Sequence, residues 1–168
     1  MEWVFSFELT RQDLITHNTL WSESKQRLIF PVFQDEQLVL YVARYFGQDS
    51  NAPKWILRKQ ISLCMHVINP LANRLVIVED IISGIKIGNL NKRLGSVVLY
   101  NSQNPINRLL TIPDTYNREY ILYLDNDKAH DAIAFTREAI ARGLHMRVVR
   151  TDHDPKAIKY PDLRALLC

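Results

Sequence analysis

Two apolar runs that end in carboxylates constrain this chain more than anything else in it. Leu75-Val76-Ile77-Val78 closes on Glu79, and the stretch from Tyr120 to Leu124 closes on Asp125, with Asp127 two residues further on. Short runs without polar interruption predict strands buried on both faces, as in a parallel sheet. In open α/β sheets, ligands gather beyond the carboxyl ends of such strands. If the two strands lie side by side, Glu79, Asp125 and Asp127 converge. Three converging carboxylates repel one another unless a cation stands among them. The pattern therefore points to a divalent metal site handling phosphate, with Mg2+ (or Mn2+) as the ion, because magnesium takes one or two carboxylates plus substrate oxygens. Asp125 and Asp127 point to the same side while the chain stays extended. Glu79 is a third ligand or a general base toward a sugar hydroxyl. A plainer reading of Asp-x-Asp, a helix N-cap followed by a first-turn acid, stands beside this one.

Length and charge narrow the partners less. The 168 residues suit one compact core with a smaller appendage, read as an N-terminal mixed segment over 1–70 and an α/β domain with a C-terminal tail over 71–168. No run approaches the ~20 apolar residues of a membrane span, and Met1-Glu2-Trp3 does not resemble a signal peptide, so a cytoplasmic protein without membrane contact is expected. The two cysteines, Cys64 and Cys168, lie far apart and offer neither a disulfide framework nor a zinc ribbon. A net charge of +3 says little about a polyanionic partner. Its distribution says more. Arg27, Arg44, Lys54, Arg58 and Lys59 crowd the first third beside Tyr41, Tyr45 and Trp55. That mixture suits single-stranded nucleic acid, through phosphate contact and base stacking. It also suits an ordinary solvated sheet face.

Along the chain, Thr10-Arg11-Gln12-Asp13 has the form of a capping box with Asp at its last position and predicts a short helix over about 11–18. Residues 27–33 and 37–46 read as a hairpin across the polar turn Gln34-Asp35-Glu36, with Pro31 at an edge or a bulge. Residues 54–68 fit strand or helix equally. From Arg74, strands and helices alternate. Strands are expected over 75–79, 97–101, 120–125 and 146–150. Helices are expected from Asp80 to about Asn89, near 106–110, over about 128–142 and near 161–167. The stripe Ala129, Ala132, Ile133, Thr136, Ile140 marks the core side of the clearest helix, and Gly143 its stop. Such alternation predicts a mostly parallel sheet covered by helices.

These residues resemble the TOPRIM domain, the metal-binding module of bacterial-type primases, topoisomerases and some nucleases. Glu79, Asp125 and Asp127 match that family's strand-end Glu and Asp-x-Asp, and the segment 125–132 with Arg137 is similar to the primase form of the motif. Arg27-Leu28-Ile29-Phe30-Pro31, Tyr41-Val42-Ala43-Arg44, Pro53-Lys54-Trp55 and Asp154-Pro155-Lys156 resemble primase motifs in the same order, over residues 27–156. Asp80, Ser83 and Asn101-Ser102 depart from the usual Gly, Asp and Gly-Thr. The resemblance implies a TOPRIM (Rossmann-like) fold and a phage-type DNA primase. Its reaction is nucleotidyl transfer from nucleoside triphosphates, making short RNA primers on a single-stranded DNA template with two divalent ions. Glu79, Asp125 and Asp127 would hold the metal. Arg27, Arg44, Lys54 and Lys156 would contact template or nucleotide. A separate helicase or zinc-domain protein is implied as partner, and a host cytoplasm if the source is viral. A TOPRIM nuclease and a non-catalytic replication accessory protein stay as alternatives, as do a core role for Trp55 and an exposed-turn role for Lys156. His66, His130, His145 and His153 show no ligand spacing, and Ser83 has no partners for a nucleophile.

Overall fold

The computed structural model describes residues 2–34, 36–59, 66–100, 105–125 and 128–168. Asp35, Cys64, Asn101-Ser102 and Asp127, all named above, lie outside the described residues. The chain forms two compact units, one of residues 9–64 and one of residues 1–8 with 65–168. Where the sequence suggests one boundary near residue 70, the larger unit takes in the first eight residues as well. They begin with helix α1 (Glu2–Phe5) and are tied in by Glu8, whose carboxylate meets Lys86 Nζ at 3.0 Å and accepts from the Tyr160 amide at 3.0 Å.

The smaller unit holds helix α2 (Arg11–Thr16) and an antiparallel sheet of β1 (Leu20–Ser22), β2 (Arg27–Gln34), β3 (Gln37–Tyr45) and β4 (Trp55–Lys59), paired in that order. The capping box forms. Thr10 Oγ1 accepts from the Asp13 amide, and the Asp13 carboxylate accepts from the Thr10 amide at 2.6 Å. β1 pairs with β2 only as far as Ile29, and the β2–β3 register shifts at Val32/Phe33. Pro31 thus lies past the end of β1 and beside the bulge, where its missing N–H costs no ladder bond.

The larger unit places β5 (His66–Ile68), β6 (Arg74–Val78), β7 (Leu94–Val98), β8 (Glu119–Leu122) and β9 (His145–Val148) in the order β5-β7-β6-β8-β9. β6 to β9 run parallel, and β5 is antiparallel at one edge. Leu75, Ile77, Val97, Tyr120 and Leu122 fill one face, against Leu109 of α4 (Pro105–Leu109) and Ala132 and Ala139 of α5 (Ala129–Ala141). Each large apolar side chain so buried contributes roughly 1.5–3 kcal/mol. Helix α3 (Ile81–Gly88), buried along its whole length, covers the other face, and α6 (Tyr160–Leu167) ends the chain.

Two expectations shift. β7 begins at Leu94, before the expected 97, because Gly95 and Ser96 are poor strand formers by type but suited to this place. A Cβ on Gly95 would stand 2.6 Å from the carbonyl oxygens of Ile68 and Asn69, and Ser96 Oγ donates to the Gly84 carbonyl at 2.8 Å. On α5 the buried residues are Ala132 and Ala139, while Ile133 and Ile140 are 36% and 55% exposed. The small residues, not the bulkiest ones, face the sheet.

A candidate catalytic edge on the parallel sheet

The connection through α3 carries the chain from β6 to β7 on one side, and the next parallel strand, β8, lies on the other side of β6. The strand order therefore reverses between β6 and β8, and α3 and α5 lie on opposite faces there. In doubly wound sheets this is where ligands bind. Glu79 directly follows β6, and its carbonyl still accepts from the Tyr100 amide at 3.1 Å. Ile77 pairs with Leu122, so continuing the register sets Glu79 level with Leu124, one residue before Asp125. The two acids expected from the sequence thus follow neighbouring parallel strands at the reversal point. Asp125 is not the cap of α5. That position belongs to Lys128, which makes no side-chain cap.

Glu79 and Asp125 are both partly buried and offer hard carboxylate oxygens with no histidine or thiolate beside them in sequence, a donor set that fits Mg2+ or Mn2+. Among the described residues no group of three or more His, Cys, Asp or Glu is gathered as a metal cage, the third expected ligand being Asp127. Asp125 also lines a small cavity of about 40 Å3 with Leu124, Lys128, Arg150 and Thr151, so two cationic side chains share its surroundings.

Beside this edge lies a cluster whose connections the sequence does not reveal. Asp80 caps α3, with Oδ1 accepting from the amides of Ile82 (2.9 Å) and Ser83 (3.2 Å). Ser83 Oγ donates to Asp80 Oδ2 at 2.7 Å and lies 3.3 Å from Asp154 Oδ1. The ammonium of Lys156 reaches Asp80 Oδ2 at 3.1 Å and also binds Asp154 Oδ2. Burial pulls the Lys156 pKa down, but Asp80 and Asp154 outweigh it and hold it above the ordinary lysine value. Lys156 is therefore no loose turn lysine. Two of its three protons are engaged, and its carbonyl accepts from Lys86 Nζ at 3.1 Å. Nearby, the Tyr123 hydroxyl meets Thr151 Oγ1 at 2.8 Å, and burial together with Asp154 raises its pKa while Thr151 opposes the shift. His66 Nδ1 is paired with the Tyr100 hydroxyl at 2.8 Å, while His130, His145 and His153 are exposed.

In the smaller unit, Arg27 donates to the carbonyls of Pro53 (2.9 Å) and Ala43 (3.4 Å), and its guanidinium lies 4.9 Å from the Tyr45 ring centroid. The Tyr45 amide in turn holds the Lys54 carbonyl at 2.9 Å. Arg27 thereby anchors the backbone that presents the exposed Lys54. Arg44 lies over Phe46 (5.5 Å) and Trp55 (5.2 Å), and burial lowers its pKa. Trp55 is thus a half-buried cation–π partner rather than a core residue. Arg58 is exposed, and Trp21, exposed and 6.2 Å from Phe46, extends the aromatic group. Sequence reading passed over Trp21 because β1 is too short to show a period.

No protein-family model matches the chain, and no curated protein matches it in sequence. Among solved structures the chain is similar to the primase of Aquifex aeolicus in its zinc-binding and RNA polymerase domains, with a TM-score of 0.75 and 12% identity. The similarity covers 99% of this chain and 54% of that one, so the chain spans about half the length of that primase fragment. At this identity the likeness is one of fold. The protein has a primase-like mixed α/β fold, with one antiparallel sheet and one mostly parallel sheet. Among the described residues no helix is long and apolar enough to cross a membrane.

Proposed function

We propose that this chain is a TOPRIM-type primase that joins ribonucleotides into short primers on single-stranded DNA with a divalent metal ion. The observation that carries the reading is the pair Glu79 and Asp125 following adjacent parallel strands at the point where strand order reverses. The primase-like fold supports it. In this reading Glu79, Asp125 and Asp127 hold Mg2+ or Mn2+, which when bound polarises phosphoryl oxygens and lowers the pKa of an attacking hydroxyl. The chain's own residues do the rest. If Glu79 stands outside the metal's coordination, it serves instead as the general base toward a primer 3′-hydroxyl. Lys128 and Arg150, which share a cavity with Asp125, offset the negative charge that develops on the triphosphate. Arg27, Arg44, Lys54 and Lys156 serve template and nucleotide phosphates. Arg27 does so indirectly, by holding the backbone just before β4 that presents Lys54.

The test is primer synthesis on single-stranded DNA with labelled ribonucleotides and Mg2+ or Mn2+. Wild type yields short RNA. Asp125→Asn and Glu79→Gln lose on the order of 10²-fold or more while keeping their far-UV spectrum, as expected when a ligand or a general base is removed. Degraded template without primers would mark the protein as a nuclease, and binding without product as an accessory protein. Either outcome would overturn the proposal.

A further inference from the structure

The carboxylates of Asp80 and Asp154 face one another across a single ammonium. Ser83 Oγ touches both, and Lys156 Nζ binds both. Two aspartates brought this close repel unless a cation lies between them, and here the chain supplies it. We propose that the Lys156 ammonium is a built-in cation at this edge. It occupies the place where Asp80 and Asp154 would otherwise hold a divalent ion, so the chain binds one such ion and not the two expected by resemblance. The proposal rests on the metal site of the proposed function and narrows it.

Lys156 is fixed at both its backbone and its head group. Pro155 precedes it in a 3-10 turn (Pro155–Ala157), its amide donates to Asp154 Oδ1 at 3.3 Å, and Lys86 holds its carbonyl. Lys86 is itself 1% exposed and held by Glu8. A lysine held in this way is part of a built arrangement, unlike a surface side chain that swings in by chance. Asp80 is equally constrained, because Oδ1 caps α3 and only Oδ2 is left for the cation. A divalent ion entering here would meet a fixed positive charge at contact distance and would have to expel it. The side chains of Lys156, Asp80 and Asp154 keep 23%, 29% and 25% of their surface exposed, so removing the lysine leaves a wet, accessible pair of carboxylates.

The experiment counts Mn2+ bound per full chain by electron paramagnetic resonance, with no turnover required. Wild type is expected to hold one ion and Asp125→Asn none. Lys156→Ala is expected to gain a second ion, and the double variant Lys156→Ala/Asp80→Asn to return to one. Asp80→Asn alone, which keeps Lys156 in the fold, leaves the count at one. Two ions in wild type, no gain in Lys156→Ala, or a loss in Asp80→Asn would each overturn the proposal. If wild type binds no ion, the proposed metal site fails instead. A gain in Lys156→Ala would then still uphold the lysine as the resident cation.

Discussion

Glu8 and Lys86 form an asymmetric ion pair, and the asymmetry makes a prediction. The Lys86 side chain is 1% exposed, whereas that of Glu8 is 39% exposed. In Glu8→Ala the ammonium stays buried, keeping the Lys156 carbonyl at 3.1 Å and the Tyr160 ring at 5.1 Å but no carboxylate among the described residues. Removing one partner from a buried pair costs about 3–5 kcal/mol. Pairs at the surface are worth about 0–1 kcal/mol, and Glu8 lies between these limits, so a cost of about 2–3 kcal/mol is expected. Lys86→Met deletes the buried charge and keeps most of the volume. The remaining Glu8 carboxylate can hydrate and still accepts from the Tyr160 amide, so the cost is below about 1 kcal/mol. The double variant Glu8→Ala/Lys86→Met then recovers most of what Glu8→Ala loses. Urea unfolding followed by far-UV circular dichroism measures all three, and Glu8→Ala lowers the thermal midpoint by roughly 10 °C. If Lys86→Met is as damaging as Glu8→Ala, or the double variant is no better than Glu8→Ala, the burial argument is wrong. The same pair holds the turn that carries Lys156, so Glu8→Ala also loosens the contact between Lys156 and Asp80.

Two further expectations test the larger unit. The hydrogen bond from Lys86 depresses the Glu8 pKa, and desolvation of Glu119 is outweighed by Arg147 and Arg74, so both carboxyls titrate below the ordinary glutamate value. A carboxylate with a depressed folded pKa stabilises the fold above its unfolded value, and that stability is lost as pH falls through the folded one. Thermal midpoints should therefore hold above pH ~5 and decline below about 4.5, and Glu119→Gln should flatten the decline. Two close approaches differ in kind: a Cβ on Gly95 of β7 meets two backbone oxygens at the end of β5 at 2.6 Å, while a Cβ on Gly84 of α3 meets the Val98 side chain at 2.5 Å. Backbone yields less than a side chain, so Gly95→Ala costs about 3 kcal/mol or more and Gly84→Ala about 1–2 kcal/mol. Equal losses in thermal unfolding would count against this account.

What was legible in the sequence is what local chemistry encodes. Asp80 and Thr10 announce the starts of their helices because a cap needs only a side-chain oxygen and the next turn's amides. β2, β3, β6 and β8 are readable because their apolar runs are uninterrupted, and Glu79 and Asp125 mark where two of them meet water. Other features depend on residues far apart in the chain. Gly95 is a strand residue only because the carbonyls of Ile68 and Asn69 pass beside it, and α5 turns its alanines inward only because the sheet lies close. Lys156 is separated from Asp80 by 76 positions, and no periodicity links them. The sequence by itself determined β2, β3, β6 and β8 and the acids that follow β6 and β8, because hydrophobic burial and capping act over a few residues. Only the tertiary structure decided that β6 and β8 are neighbours at the reversal of strand order and that a lysine stands between Asp80 and Asp154. Those facts follow from how the layers close over one another, and that is set by the whole core at once.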